Sequence, residues 1–125
     1  MRTQFFLFSA DRPGCDSDFR YTKLNNALHQ LNINYLDVDG CYKNETEKSV
    51  LVDARHEKSV LELAKEFGQE SILFVDRKNN AYLIYLADGN TEKLKGKFQE
   101  VTKQIALSLD AYTKCCKTGK YYAVV

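Results

Sequence analysis

The chain has no tryptophan, one proline and six scattered glycines in 125 residues. With one proline, no repeat and no low-complexity tract, nothing reads as a linker, and a single domain is expected over residues 1–125. Long apolar runs are missing too. Met1-Arg2-Thr3-Gln4 leads only into Phe5-Phe6-Leu7-Phe8, which is too short for a signal peptide or a membrane span, so a cytoplasmic protein without a membrane partner is expected. Charge of one sign is not in excess. Eighteen Lys and Arg stand against seventeen Asp and Glu, for a net charge of +1, which gives no global field to collect nucleic acid or anionic lipid.

Metal and phosphate signatures are absent as well. Cys15, Cys41, Cys115 and Cys116 include no Cys-x-x-Cys pair, and neither His29 nor His56 has a His or Cys at ligand spacing, so no metal is expected. The glycines never approach a phosphate-loop spacing, so nucleotide hydrolysis and a bound cofactor are not expected either. Without a secretion signal the cysteines read as reduced thiols.

What is present is an ordinary globular composition, with 44% hydrophobic and 28% charged residues and an aromatic content of eight Tyr and seven Phe. Gln4 to Ser9 reads as a buried strand ended by the turn Asp11-Arg12-Pro13-Gly14. Tyr21, Leu24, Leu28 and Leu31 recur at helical spacing over residues 19–31, behind a cap at Asp16 or Ser17. Strands follow from Tyr35 through Val38, ending at Asp39-Gly40 or continuing through a bulge towards Tyr42, and at Val50 to Val52, with Lys43 to Glu47 as the loop between them. A second helix is expected from Ala54 to Phe67, capped by Asp53 and stopped at Gly68.

Ile72 to Val75 and Tyr82 to Leu86 form a hairpin across Asp76 to Asn80. A strand near Lys97 to Glu100, a helix from Thr102 through Tyr112 and a strand from Tyr121 to Val125 complete the chain. The first six elements match the ferredoxin-like βαββαβ pattern, an antiparallel sheet with two helices on one face. The expected architecture is therefore α+β, with a ferredoxin-like core over residues 1–86 and a β-α-β annex over 87–125. The free edges of such a sheet make a homodimer feasible.

No catalytic grouping emerges. Cys15 precedes a helix N-terminus that would favour thiolate, but no His lies near it in sequence, and a small residue in a cap region is the simpler reading. The Cys115-Cys116 pair reads as reduced rather than as a strained bridge. Asp37 and Asp39 share one face of a strand, as Glu45 and Glu47 would if their loop were extended; such pairs can bind Mg²⁺ or act as acid and base, but with no third ligand or phosphate loop beside them each reads first as solvated surface, with a second use as a contact patch. Tyr121 and Tyr122 alternate across a strand, one toward the core and one outward, which leaves Tyr122 a candidate contact but supplies no RNA-recognition pattern.

The phrase Leu63-Ala64-Lys65-Glu66-Phe67-Gly68-Gln69-Glu70-Ser71-Ile72, with Ser9-Ala10-Asp11-Arg12-Pro13 and the Asn25 region of the first helix, resembles an uncharacterised family of small phage and bacterial proteins. The resemblance spans roughly residues 4 to 86. It departs from that family at the first loop, where Arg12-Pro13 stands in place of Asn-Pro. It implies a phage-type origin, and with it the host cytoplasm, more than an activity. If the loops Asp11 to Asp18 and Gly68 to Ser71 meet, Arg12, Asn25 and Gln69 would offer polar groups on one rim.

The leading expectation is thus a small phage-type accessory protein that binds and inhibits a host protein, such as a nuclease or an anti-phage defence factor. Its candidate contacts are Arg12, Asn25, Gln69, Asp37, Asp39 and Tyr122. Alternatives are a nucleic-acid or nucleotide-binding module and a thiol-dependent enzyme or redox protein.

Overall fold

Strand-forming and helix-forming segments succeed one another as β1 (Phe5–Ser9), α1 (Ser17–Gln30), β2 (Tyr35–Tyr42), β3 (Glu45–Asp53), a 3-10 turn (Ala54–His56), α2 (Glu57–Glu66), β4 (Ser71–Val75), β5 (Asn80–Tyr85), β6 (Thr91–Val101), α3 (Lys103–Leu107), β7 (Ala111–Cys115) and β8 (Tyr121–Val124). The computed structural model describes residues 4–12 and 14–125. Residues 1–3 of the amino-terminal segment and Pro13 of the first turn lie outside the described residues.

The strands pair side by side in the order β1-β3-β2-β7-β8-β6-β5-β4, and β4 returns to β1, so the sheet closes on itself. All eight pairings are antiparallel. This corrects the ferredoxin-like expectation of an open sheet with a separate annex. An open sheet of β4, β1, β3 and β2 would leave the outer edges of β2 and β4 with unpaired N–H and C=O groups. Here β5 covers β4, β7 covers β2, and β6 and β8 join the two. Residues 87–125 therefore supply three of the eight staves of a barrel.

Side chains alternate between two environments, as the period of a strand requires. Phe6 and Phe8 on β1, and Ala10 just past its end, face outward and pack with Val50 and Val52 of β3, Leu24 and Leu28 of α1, and Val60, Leu63 and Ala64 of α2. Leu7 faces inward, clustered with Val38, Val75 and Phe98. The main core therefore lies between the barrel wall and two helices. Each fully buried leucine of α1 contributes about 1.5–3 kcal/mol there.

The helices form for local reasons. Asp16 caps α1 by accepting from the Phe19 N–H at 3.0 Å, and Asp53 accepts from the Arg55 N–H at 2.9 Å to open the 3-10 turn before α2. After α2, Gly68 takes φ +73, the left-handed conformation that lets the Gln69 N–H reach back to the Ala64 carbonyl at 3.0 Å.

Two local expectations change. Lys43 and Asn44, at φ 50 and 69, make a two-residue hairpin turn, so Glu45 to Glu47 are strand and pair with Gly40, Cys41 and Tyr42 instead of forming a loop. The third helix stops at Leu107, and Tyr112 sits in β7 opposite Cys41. There the β-prone run Ala111–Cys115 gains a full ladder with β2, which outweighs two more turns of an exposed helix. Among the described residues no helix is long and apolar enough to cross a membrane.

Candidate functional site

A cavity of about 640 Å³ opens inside the barrel, at the end where β1 and β2 finish and β3, β4 and β7 begin. That volume suits one small organic molecule, and an eight-stranded barrel is just wide enough to hold one. Its floor is apolar, formed by Leu7, Val38, Leu73, Leu83, Phe98 and Val124. Its mouth is polar, with Ser9, Ser49, Gln69, Ser71 and Thr113. Three carboxylates line it, Asp11, Glu45 and Glu47, and among the described residues no Lys, Arg or His does.

The backbone puts Glu47 there. The turn at Lys43-Asn44 fixes the register of β3, and the alternation that sends Val50 and Val52 out to the helices sends Glu47, Ser49 and Leu51 inward. Gly40 is the residue opposite Glu47, so no side chain from β2 fills the space beside it. By surface area Glu47 is exposed to solvent at the open mouth, with the barrel wall on its inner side. Even so, burial among the barrel walls raises its carboxyl pKa, the Asp11 charge adds to the rise, and the Ser9 hydroxyl opposes it.

Asp11 is built into the rim by several bonds. Its Oδ1 accepts from the Ser17 hydroxyl at 2.7 Å and from the Arg12 N–H at 3.0 Å. Its own N–H donates to Ser9 Oγ at 2.9 Å, and its carbonyl accepts from Gln69 Nε2 at 2.8 Å. Ser9, fully buried, donates in turn to the Lys48 carbonyl at 2.9 Å.

The sequence-derived candidates separate into three places. Arg12 and Gln69 stand at the rim, where a Cβ added at Gly68 would come 2.6 Å from the Arg12 guanidinium. Asn25 lies on α1, away from the cavity lining, with its Oδ1 buried and without a hydrogen-bond partner among the described residues. Asp37 and Asp39 stand on the outer face of β2. Asp37 accepts from the Tyr21 hydroxyl, and burial followed by this carboxylate raises the Tyr21 pKa. Tyr122 points inward and stacks on Phe98 with ring centroids 5.5 Å apart, while Tyr121 packs outside against Tyr112.

The cysteines do not form a site. Cys15 and Cys116 are exposed and Cys115 is buried. Burial pushes the Cys115 thiol up, but the Thr118 hydroxyl and the N–H groups of Thr118 and Lys117 more than reverse this and hold it low. Burial and Asp39 raise Cys116. No group of His, Cys, Asp and Glu able to hold a metal ion occurs among the described residues.

Sequence reasoning passed over Asp11 and gave Glu47 no more than a surface role. The signal was available in the alternation Glu45, Glu47, Ser49, Leu51, once Lys43-Asn44 is read as a hairpin turn.

The model of the S-adenosylmethionine lyase family matches residues 6–125. The chain belongs to that family. The match takes in the segment from Leu63 to Ile72 on which the resemblance to small phage and bacterial proteins rests, and runs on through the C-terminal strands. No curated protein matches the chain.

Proposed function

We propose that this protein cleaves S-adenosylmethionine inside the barrel. The observation that carries the reading, beside family membership, is a lumen that pairs three carboxylates with an apolar floor and, among the described residues, has no cationic side chain. S-adenosylmethionine is an organic cation with a flat, largely apolar adenosine body. Its positive end is matched by Glu47 at the mouth and its body by the wall around Leu73, Leu83 and Phe98.

The chemistry asks little of the protein. When a carbon–sulfur bond of a sulfonium breaks, sulfur keeps the bonding pair and becomes a neutral thioether. A lyase adds no water, so the carbon that loses sulfur closes on an oxygen of the same molecule or gives up a neighbouring proton. Either way the positive charge on sulfur disappears, and a reaction that removes charge is favoured where water is excluded. A small lumen with an apolar floor supplies that setting. We prefer this reading to the inhibitor of a host protein expected from the sequence because the lined lumen is of a size for a small molecule.

Incubation with S-adenosylmethionine, followed by mass analysis of early time points, tests it. Two products whose masses sum to that of the substrate are expected, one of them an adenosine thioether. Intact substrate, or products that together carry the mass of one added water from the first time point, would overturn it.

A further inference from the structure

Two loops meet at the mouth of the lumen. Arg20 of α1 donates to the carbonyls of Ala10 and Phe67, thereby bridging the β1–α1 loop and the end of α2, and its guanidinium lies 5.5 Å from the centre of the Phe67 ring. Gln69 adds a second bridge through the Asp11 carbonyl, and Arg12 packs over Gly68. Charge-assisted bonds from one guanidinium to two carbonyls fix orientation as well as distance. The segment so held is the one that carries Asp11, whose Oδ1 is already occupied by Ser17 and the Arg12 N–H.

We propose that this latch makes Asp11 a specificity-determining residue, holding its carboxylate on the same mouth as Glu47 so that the lumen reads two positive charges on one ligand. The inference rests on the S-adenosylmethionine reading, since that molecule carries a sulfonium and an ammonium. Its demethylated thioether keeps the same amino-acid end, ammonium and carboxylate, and loses only the sulfonium charge. The titratable groups facing the lumen with Glu47 are Asp11, Glu45 from the same strand and Tyr42 from β2; Cys41 of β2 and Tyr112 of β7 border it, but strand alternation turns their side chains to the outer face. None of these is cationic, so among the described residues no cation of the lining faces the two carboxylates. Arg20 and Gln69 act as positioning residues, through Asp11.

The test uses Asp11→Asn, which keeps the Oδ1 acceptor for Ser17 and Arg12 but removes the charge, and Gln69→Ala, which keeps the charge but releases the loop. Two readouts are taken on each. Binding is measured with an unreactive analogue that has a protonated amine in place of the sulfonium, and with the thioether. The wild type is expected to favour the amine analogue, and Asp11→Asn to reduce that preference about tenfold, the scale of one charge-assisted contact. Gln69→Ala should reduce it by a smaller factor. Equal loss of both ligands, or an unchanged preference, would overturn the proposal.

The second readout is the Glu47 carboxyl titration followed by carbon NMR on the ligand-free protein. Its midpoint should fall toward the ordinary glutamate range in Asp11→Asn and by less in Gln69→Ala. An unmoved midpoint in Asp11→Asn would show that the two carboxylates are not paired, which also overturns the proposal. If the wild type binds neither nucleoside, the S-adenosylmethionine reading and the two-charge specificity fail together, while the titration separately decides whether the latch pairs the carboxylates.

Discussion

Gly40 stands directly opposite Glu47 across the β2–β3 ladder, so the inward-facing carboxylate has an empty place beside it rather than a side chain. A Cβ at position 40 would lie 3.6 Å from Ser49 Oγ and 3.7 Å from the Glu47 carbonyl oxygen, which is ordinary contact. Space beside Glu47 is therefore held open by the absence of a longer side chain and not by backbone strain.

That relationship separates two substitutions. Gly40→Ala is expected to fold and to stay within about 1 kcal/mol of the wild type in stability, because the added methyl group meets its neighbours at ordinary contact distance. Gly40→Leu places a branched side chain next to Glu47 and should lower the cleavage rate at least ~tenfold while the barrel survives, since steric exclusion of a ligand readily exceeds the ~1.4 kcal/mol that a factor of ten represents. Circular dichroism reports the fold and product formation the rate. Full activity in Gly40→Leu would place the site elsewhere.

Glu47 also predicts a pH dependence. Its pKa in the folded protein is raised, first by burial and then by Asp11, so between the unfolded and folded values the native state binds more protons than the unfolded chain. Stability therefore falls as pH rises through that interval and stays lower above it. Glu47→Gln should melt at a higher temperature than the wild type at about pH 8, and the gap should close below about pH 4, where the carboxyl is protonated in both states. The same variant should lose cleavage activity. Paired thermal melts at the two pH values decide the first point.

The two apolar compartments should respond differently to truncation. Leu28 is fully buried between α1 and the outer wall, and Leu28→Ala should cost about 2–5 kcal/mol through lost contacts and a new void. Leu83 borders a cavity that already exists, so Leu83→Ala should cost only about 1–2 kcal/mol while weakening ligand binding. Urea unfolding with a parallel activity assay separates them. In Leu28→Ala, activity per folded molecule should be retained.

Thiol chemistry should prove separable from function. Cys15 is exposed and lies outside the cavity lining, and the raised pKa of Cys116 slows its alkylation. Brief treatment with iodoacetamide near neutral pH should label Cys15 first and leave cleavage unchanged, as read by peptide mass mapping and product formation. Loss of activity in step with Cys15 labelling would contradict the assignment of the site to the lumen.

Much of the local structure was legible in the sequence. Leu24 and Leu28 at helical spacing, the Asp16 cap and the glycine stop at Gly68 each act within a few residues, and local pattern is enough to read them. Closure of the barrel was not. It depends on β7 pairing with β2 across some seventy residues of chain and on β6 reaching both β5 and β8, and no short-range signal carries such pairings. The site was hidden for the same reason, because Asp11 and Glu47 come from separate elements and acquire a common environment only when the sheet closes. Asp37 and Asp39 show the converse: strand alternation places them together, but on the outer face.

The most direct measurement is a crystal structure of the protein soaked with the unreactive amine analogue of S-adenosylmethionine. The account predicts density inside the barrel, with the amine end toward Glu47 and Asp11 and the adenosine body against Leu73, Leu83 and Phe98. An empty lumen with the analogue bound on the outer surface would contradict it.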